Sequence, residues 1–147
     1  MADRELVELI RGRIPGLALR ENEPMSRHCS FRVGGPAEIF AEPSGEGELL
    51  ELCSILTEEH VPALVIGRGT NLLVCDEGIA GVVIHLGDAF SEARVEGTEI
   101  YALAGCPLSR LAVMARRTLL ARFARPAGKA HGRCAKGIFP RRMSSEK

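Results

Sequence analysis

The segment VIGRGTNLLVCDEGIAGVVIHL, residues 65–86, constrains the fold more than any other part of the 147-residue chain. A short apolar run leads into a polar loop, and a second apolar run follows. The loop consists of Gly67, Arg68, Gly69, Thr70 and Asn71. Short apolar runs bounded by glycine-rich turns are typical of buried strands. The segment therefore predicts two sheet strands joined by a flexible, polar loop.

The sequence before this segment predicts a helix, an irregular stretch and a strand. The helix runs from about Arg4 to Arg13 with Asp3 as its cap. Its apolar stripe consists of Leu6, Val7, Leu9 and Ile10. Residues 19–28 are polar and are predicted to be irregular. The breaker Gly34-Gly35-Pro36 then turns the backbone tightly into a strand at about residues 37–41.

A second helix is predicted within residues 43–60, and a short buried strand follows at residues 62–67. Ser44 is its expected cap, and acidic residues in its first turn favour the helix dipole. Its apolar face is expected to consist of Leu49, Leu52, Cys53 and Leu56. The strand–helix–strand order predicts a parallel pair of strands with a crossover helix.

The remaining elements complete an expected α+β fold, with mixed α/β as the other arrangement considered. Residues 81–86 predict a strand, and a hairpin should turn near Glu96-Gly97-Thr98. Pro107 suits the first turn of a final helix because its missing N–H is not needed there. One face of that helix is expected to consist of Leu108, Leu111, Ala112, Ala115 and Leu119.

Composition restricts the class of protein. The length suits one domain, and 46% hydrophobic with 26% charged residues is an ordinary globular balance. The N-terminus lacks a signal-peptide core, and no apolar run approaches a membrane span, so we expect a cytoplasmic protein without a membrane partner. The spacing of the five cysteines, which are scattered and form no C-x-x-C pair, argues against a disulfide framework and against a zinc site.

The zero net charge conceals two unlike regions. Residues 1–120 contain 18 acidic residues and 11 arginines, whereas residues 121–147 contain 8 basic residues and 1 acid. All three lysines lie in the second region. Such a basic segment, with Phe123 and Phe139 available for stacking, could serve as an arm for RNA or another polyanion. The other interpretation is a disordered, non-native tail.

The glycine loop has a chemistry that suits an anion. Glycine permits positive φ, and successive backbone N–H groups in such a turn can point at one ligand. Thr70 adds a hydroxyl donor, Asn71 adds an amide, and Arg32 and Arg68 are candidates for anion contact. Neither a Walker A loop nor a G-x-G-x-x-G fingerprint is present. The residues alone leave two interpretations open, an anion site and an ordinary tight turn.

Longer motifs carry a resemblance to a known family. CSFRVGGPAEIFAEP, followed by PALVIGRGTNLLVCDEGIAGVVIHL and then IYALAGCPLSRLAVMA, is similar to UDP-N-acetylenolpyruvoylglucosamine reductase over roughly residues 20–120. The resemblance implies an FAD-binding domain of the vanillyl-alcohol-oxidase (PCMH) type. It divides the chain into an N-terminal helix at 1–18, a partial FAD-binding domain at 19–120 and a basic tail at 121–147.

The resemblance also implies which residues bind the cofactor. In this family, backbone amides of the G-x-G-[ST]-N loop hold the FAD pyrophosphate. Thr70 stands where Ser is more common in the family, and it keeps the hydroxyl. The implied cofactor-binding residues are Ile66, Gly67, Arg68, Gly69, Thr70, Asn71, Leu72, Ala104 and Gly105.

The implied activity is reduction of an enolpyruvyl ether on a UDP-sugar in peptidoglycan synthesis, with NADPH as hydride donor and FAD as carrier. The family's catalytic Arg, Ser and Glu lie downstream of a Gly-Ile-Pro-Gly segment, and none of these motifs occurs here. No catalytic residue is therefore carried over, and this chain alone is expected to be an inactive, truncated fragment. Our hypothesis for the Ala-, Arg-, Gly- and Pro-rich end is a frameshift in a GC-rich gene.

The residues admit another flavin-binding oxidoreductase on the same fold, although SFRVGGPAE argues against an oxidase. His28, His60, His85 and His131 lack metal-ligand spacing, and His85 is expected to be structural within its apolar strand. No metal and no nucleic acid are expected. Neither spacing nor composition predicts an oligomeric state.

Overall fold

The computed structural model describes residues 3–123 of the chain. Residues 124–147, which comprise most of the basic tail with His131, Cys134 and Phe139, lie outside the described residues. The helices and strands are α1 (Asp3–Arg13), β1 (Ala18–Pro24), β2 (Pro36–Glu42), α2 (Glu46–Glu58), β3 (Ala63–Ile66), β4 (Ile79–His85), β5 (Ala93–Glu96), β6 (Glu99–Ala102) and α3 (Leu108–Phe123). Single 3-10 turns occupy Met25–Arg27 and Asp88–Phe90.

A mixed four-stranded sheet organises these elements in the order β1-β2-β4-β3. β2, β4 and β3 run parallel, and β1 is antiparallel to β2. The predicted α+β class is confirmed as a mixed sheet with helices. The β2–α2–β3 unit is parallel as predicted, but its two strands are not neighbours because β4 lies between them.

Helices α1 and α2 cover one face of the sheet. The predicted stripe of α1 is confirmed, with Leu6, Val7 and Ile10 buried and Leu9 partly buried against the same core. This core consists of Leu6, Val7, Ile10, Ile14, Leu17, Ile39, Ala41, Leu52, Ile55, Leu56, Val82, Ile84, Leu86 and Phe90. Burying this apolar surface is the main favourable contribution to the fold.

Two expectations for α2 are wrong. Cys53 is exposed, and Ile55 takes its predicted place beside Leu52 and Leu56 in the core. Ser44 does not cap the helix, because the N-cap position is Gly45 and no side chain accepts a cap hydrogen bond. The Ser44 N–H, one residue before the N-cap, instead donates to Glu48 Oε2 in the first turn at 2.7 Å.

The edge strands account for two further corrections. Residues 19–28, predicted to be irregular, include all of β1 except Ala18, because pairing with β2 satisfies a backbone whose side chains are mostly exposed and polar. β3, predicted to be buried, is the opposite edge, and Leu64 and Val65 are 38% and 54% exposed. An edge strand needs no apolar alternation, so side-chain patterning does not report it.

Loops, and not helices, cover the second face of the sheet. A second core here consists of Met25, Ala37, Phe40, Ile66, Val74 and Val83, with Leu72 and Ile79 packed against it. The parallel strands β3 and β4 are neighbours, so the chain must cross the sheet between them. Residues 67–78 make that crossing without a helix.

Glycines bring this crossing loop into backbone contact with the loop before β2. The Gly35 N–H donates to the Cys75 carbonyl at 2.8 Å, and the Ser30 N–H donates to the Gly69 carbonyl at 3.1 Å. A Cβ on Gly34 would lie 2.6 Å from Val74 Cβ, and one on Gly78 would overlap the Pro36 carbonyl oxygen. The tight turn predicted at the breaker is wrong, because residues 32–35 form no turn, and Gly34, at φ +115°, is needed there for its close contact with Val74.

The C-terminal part adds a hairpin and a helix. The predicted turn is confirmed, since β5 and β6 pair antiparallel around Gly97 at φ +60°. α3 follows Pro107 and contacts β5 and β6. Its predicted apolar face is largely uncovered, because Leu108 and Leu119 are 81% and 56% exposed. Leu111 and Ala115 are half-buried, and Ala112 is exposed.

None of the helices within residues 3–123 combines the length and the apolar character that crossing a membrane would require.

Replacing Gly78 by Ala should lower the free energy of unfolding by more than about 2 kcal/mol. The added Cβ would overlap the Pro36 carbonyl, and Gly78 has φ +88°. Gly12→Ala is the matched control, because nothing lies within 4 Å of its added Cβ in α1. That control should stabilise the chain by about 0.5–1 kcal/mol. Urea unfolding measures both, and equal stability of the two variants would contradict the loop contact.

Candidate functional site

The loop of residues 67–71 begins at the carboxyl end of β3 and keeps its backbone donors free. Within residues 3–123, the N–H groups of these five residues donate no hydrogen bond to another protein group. A Cβ added to Gly67 would meet nothing within 4 Å, so the backbone there faces open space. Backbone N–H groups that are both unpaired and accessible can hydrogen-bond a ligand.

Gly69 is required for a different reason than the sequence suggested. It has φ +61°, which glycine adopts without strain. An added Cβ would overlap the carbonyl oxygen of His28 and approach the Cα of Cys29 at 3.1 Å. The missing side chain therefore makes room for the neighbouring loop, whereas at Gly67 it leaves space for a ligand.

A groove of about 570 Å³ opens beside the loop. We call it the basic groove, and it is lined by Arg27, His28, Cys29, Ser30, Arg32, Arg68, Thr70 and His85. Three of the 11 arginines in residues 1–120 meet here, although that region has 18 acidic residues. A positively charged concavity in an otherwise acidic region concentrates anions at one place.

The arginines of the basic groove differ in their partners. Arg27 Nη1 lies 3.8 Å from Glu23 Oε1. Arg32 and Arg68 form no ion pair with any group in the described part of the chain, so both charges are available. Arg32 also has φ +54°, a left-handed conformation that costs a side-chain-bearing residue about 1–2 kcal/mol. Asn22 and His60 have similar φ values, so this conformation alone does not distinguish Arg32.

Two histidines line the same groove, each beside a carboxylate. His28 Nε2 lies 2.9 Å from Glu23 Oε1, and His85 Nδ1 lies 2.8 Å from Glu42 Oε1. The two rings are 5.8 Å apart, and His28 stacks on Phe40 at 4.1 Å. The sequence predicted only a structural role for His85 and none for His28, because their proximity arises from the sheet and not from spacing.

Arg20 and His85 fix the ionisation of Glu42. Burial favours the neutral carboxyl, but the hydrogen bond from His85 and the charge of Arg20 outweigh burial and lower the pKa of Glu42. Arg20 Nη2 lies 2.6 Å from Glu42 Oε2. Glu42 is thus held as a carboxylate at the carboxyl end of β2, where it accepts from His85.

The predicted cofactor-binding residues fall into two groups. Arg68 and Thr70 line the basic groove, Gly67 and Gly69 shape its loop, and Asn71 is exposed in the same loop. The flanking Ile66 and Leu72 pack into the second core and anchor the loop at both ends.

Ala104 and Gly105 do not line the basic groove. The Gly105 N–H donates to the Phe90 carbonyl at 2.9 Å. An added Cβ would lie 2.8 Å from the Leu86 carbonyl oxygen and 2.9 Å from that of Gly87. Gly105 thus packs against the segment that follows β4, and Leu86 in turn donates to the Ile66 carbonyl at 2.8 Å.

Metal-binding chemistry has no support in the described part of the chain, where no three His, Cys, Asp or Glu residues form a group able to hold an ion. Cys29, Cys53, Cys75 and Cys106 are free thiols. The groups that the groove and its loop present are unpaired amides, a hydroxyl and two arginines without an ion pair in the described residues.

These observations define a mixed α+β domain with an arginine-lined groove at the carboxyl ends of parallel strands. The chain is 50% identical over 97 residues to the UDP-N-acetylenolpyruvoylglucosamine reductase of Heliobacterium modesticaldum, a match that covers 66% of this chain and 31% of that protein. Reductases of the same name from Caldanaerobacter subterraneus and Desulforamulus reducens are 48% and 40% identical, over 64% and 84% of this chain.

The resemblance to the UDP-N-acetylenolpyruvoylglucosamine reductases is therefore confirmed. The chain spans about a third of the length of the curated relatives it matches, between 31% and 39% of each. No family model matches the chain.

Glu42→Gln should make stability less sensitive to acid. The folded-state pKa of Glu42 is lowered, so its ionised form stabilises the fold above the unfolded-state pKa. That contribution is lost as the pH falls through the lowered folded-state pKa. Glu77→Gln, an exposed acid without an ion pair in the described residues, is the control. Parallel acid-unfolding curves for wild type and Glu42→Gln would contradict the assignment.

Proposed function

We propose that residues 19–120 form part of an FAD-binding domain of the vanillyl-alcohol-oxidase (PCMH) type, and that the loop at 67–71 binds the FAD diphosphate. The observation that supports this most directly is the set of unpaired loop amides beside the basic groove. A diphosphate carries negative charge on several oxygens. Several hydrogen-bond donors that point at those oxygens therefore matter more for its binding than any one side chain.

The residues present fit such a group. The N–H groups of residues 67–71 would donate to phosphoryl oxygens, and Thr70 would add its hydroxyl. Arg68 and Arg32 would balance the negative charge, because neither has an ion-pair partner in the described part of the chain. Gly67 would let the phosphate reach the main chain, where a side chain would otherwise stand.

For the whole protein, we propose the activity for which its similar relatives are named. It would be an NADPH-dependent reductase acting on UDP-N-acetylenolpyruvoylglucosamine in peptidoglycan synthesis, in the cytoplasm. When bound, FAD supplies the hydride chemistry, and the protein supplies position and charge. The 147 residues contain no residue that we assign to catalysis, so we propose cofactor binding, and no turnover, for this polypeptide by itself.

Gly67→Ala and Arg68→Ala should each weaken FAD binding without unfolding the chain. Gly67→Ala places a methyl group where no protein atom lies within 4 Å, so only a ligand would feel it. Arg68→Ala removes a charge-assisted contact of about 1.5–3 kcal/mol, so affinity should fall about tenfold or more. The measurement is titration with FAD, followed by flavin fluorescence.

Arg94→Ala is the matched control for this titration. Arg94 is an exposed arginine in β5 that pairs with Glu96 at 2.7 Å and does not line the basic groove. Its replacement should leave FAD affinity unchanged. Equal affinity of wild type, Gly67→Ala and Arg68→Ala would contradict the proposed site, and flavin that stays attached after denaturation would favour a covalent flavoprotein instead.

A further inference from the structure

His28 and His85 in the basic groove can gain and lose protons, which the backbone amides of a phosphate-binding loop cannot do. Each imidazole is bound through one nitrogen to a carboxylate, His28 to Glu23 and His85 to Glu42. A carboxylate can only accept, so those nitrogens carry the proton. Both side chains are half-buried, with 15% and 20% of their surface exposed, and both line the basic groove.

The second nitrogen of each ring is without a protein partner. His28 Nδ1 and His85 Nε2 take part in no hydrogen bond within residues 3–123. In the neutral imidazole that nitrogen is an acceptor, and it becomes a donor only when the ring gains a second proton. An anionic ligand in the groove therefore gains hydrogen bonds from these rings only if they are protonated.

The charged and titratable groups that face the two rings come from β1, β2 and the loops beside the groove. They are Arg20, Glu23, Arg27, Cys29, Arg32, Glu42 and Arg68. The two rings lie 5.8 Å apart. A diphosphate in the groove would bring negative charge beside both rings, and a nearby negative charge favours the protonated form of an imidazole.

We propose that the His28–His85 pair takes up a proton from solvent when a diphosphate diester binds in the basic groove, and donates hydrogen bonds to it through His28 Nδ1 and His85 Nε2. This inference rests on the proposed function of the groove as a diphosphate site. It makes the two histidines ligand-binding residues and makes the site selective for ligands that carry several negative charges together. Affinity should accordingly fall as the pH rises, by up to about tenfold per pH unit for each proton taken up.

Calorimetric titration of the 147-residue chain with FAD and with UDP-N-acetylglucosamine tests the proposal. Both ligands contain an internal diphosphate diester, which does not itself titrate near neutral pH, so any proton taken up belongs to the protein. Titrations at pH 6 and pH 8, in buffers of different ionisation enthalpy, count the protons without any substitution. We expect tighter binding at pH 6 with net proton uptake.

Two substitutions locate the proton. His28→Gln places an amide where Nε2 meets Glu23, and His85→Asn places one where Nδ1 meets Glu42, so each keeps the carboxylate contact and loses the titratable nitrogen. The double variant should bind with an affinity that no longer changes with pH. His60→Asn is the control, because His60 is exposed outside the groove and its φ of 55° suits Asn. Circular dichroism checks that each variant is folded.

The outcomes separate this inference from the proposed function. FAD binding without proton uptake would overturn the role of the histidines and leave the flavin site standing. Proton-linked binding of the UDP-sugar alone would support the histidines and overturn the assignment to FAD. Failure of folded wild-type chain to bind either ligand would overturn both, and a double variant that keeps the full pH dependence would overturn the role of the pair.

Discussion

Close backbone contact between two loops determines the second face of this domain. The loop before β2 and the crossing loop between β3 and β4 approach so closely that Gly34, Gly35, Gly69 and Gly78 have no room for a Cβ. Hydrogen bonds from Ser30 to Gly69 and from Gly35 to Cys75 then join the two backbones. Helices α1 and α2 cover the other face by apolar side-chain packing. The two faces therefore differ, because the second face depends on the close backbone contact between the two loops.

The same contact forms the candidate site. Because its Gly69 carbonyl is fixed by Ser30, the crossing loop holds the amides of residues 67–71 beside the basic groove. The partner loop contributes Arg32 and His28 to the same groove, and β4 contributes His85. Residues far apart in the chain thus converge because two glycine-rich segments pack together. Their separate sequences show no sign of that convergence.

Sequence patterning predicted the elements that bury a periodic apolar face. The stripe of α1, the central strand β4 and the hairpin around Gly97 were found where the periodicity placed them. It did not predict β1, because an edge strand depends on backbone pairing and needs no apolar alternation. It predicted β3 correctly as a strand but wrongly as a buried one.

In the candidate site, too, features set by a short segment were predicted, whereas features set by tertiary contacts were not. The loop itself was predicted, since glycine and hydroxyl residues after a strand carry a local signal. The carboxylate-bound pair of His28 and His85 was not predicted, since it depends on the register of β1, β2 and β4. Position 69 must also be glycine because the His28 carbonyl approaches it closely, and the sequence of the loop alone does not predict that contact.

The most direct test of the account follows the backbone amides of residues 67–71 by heteronuclear NMR while FAD is added. Our account predicts that these amide resonances, with those of Arg32 and His28, shift together and saturate, and that the phosphorus resonances of FAD shift at the same concentration. Unchanged loop amides, or shifts confined to another surface such as the β5–β6 hairpin, would contradict it.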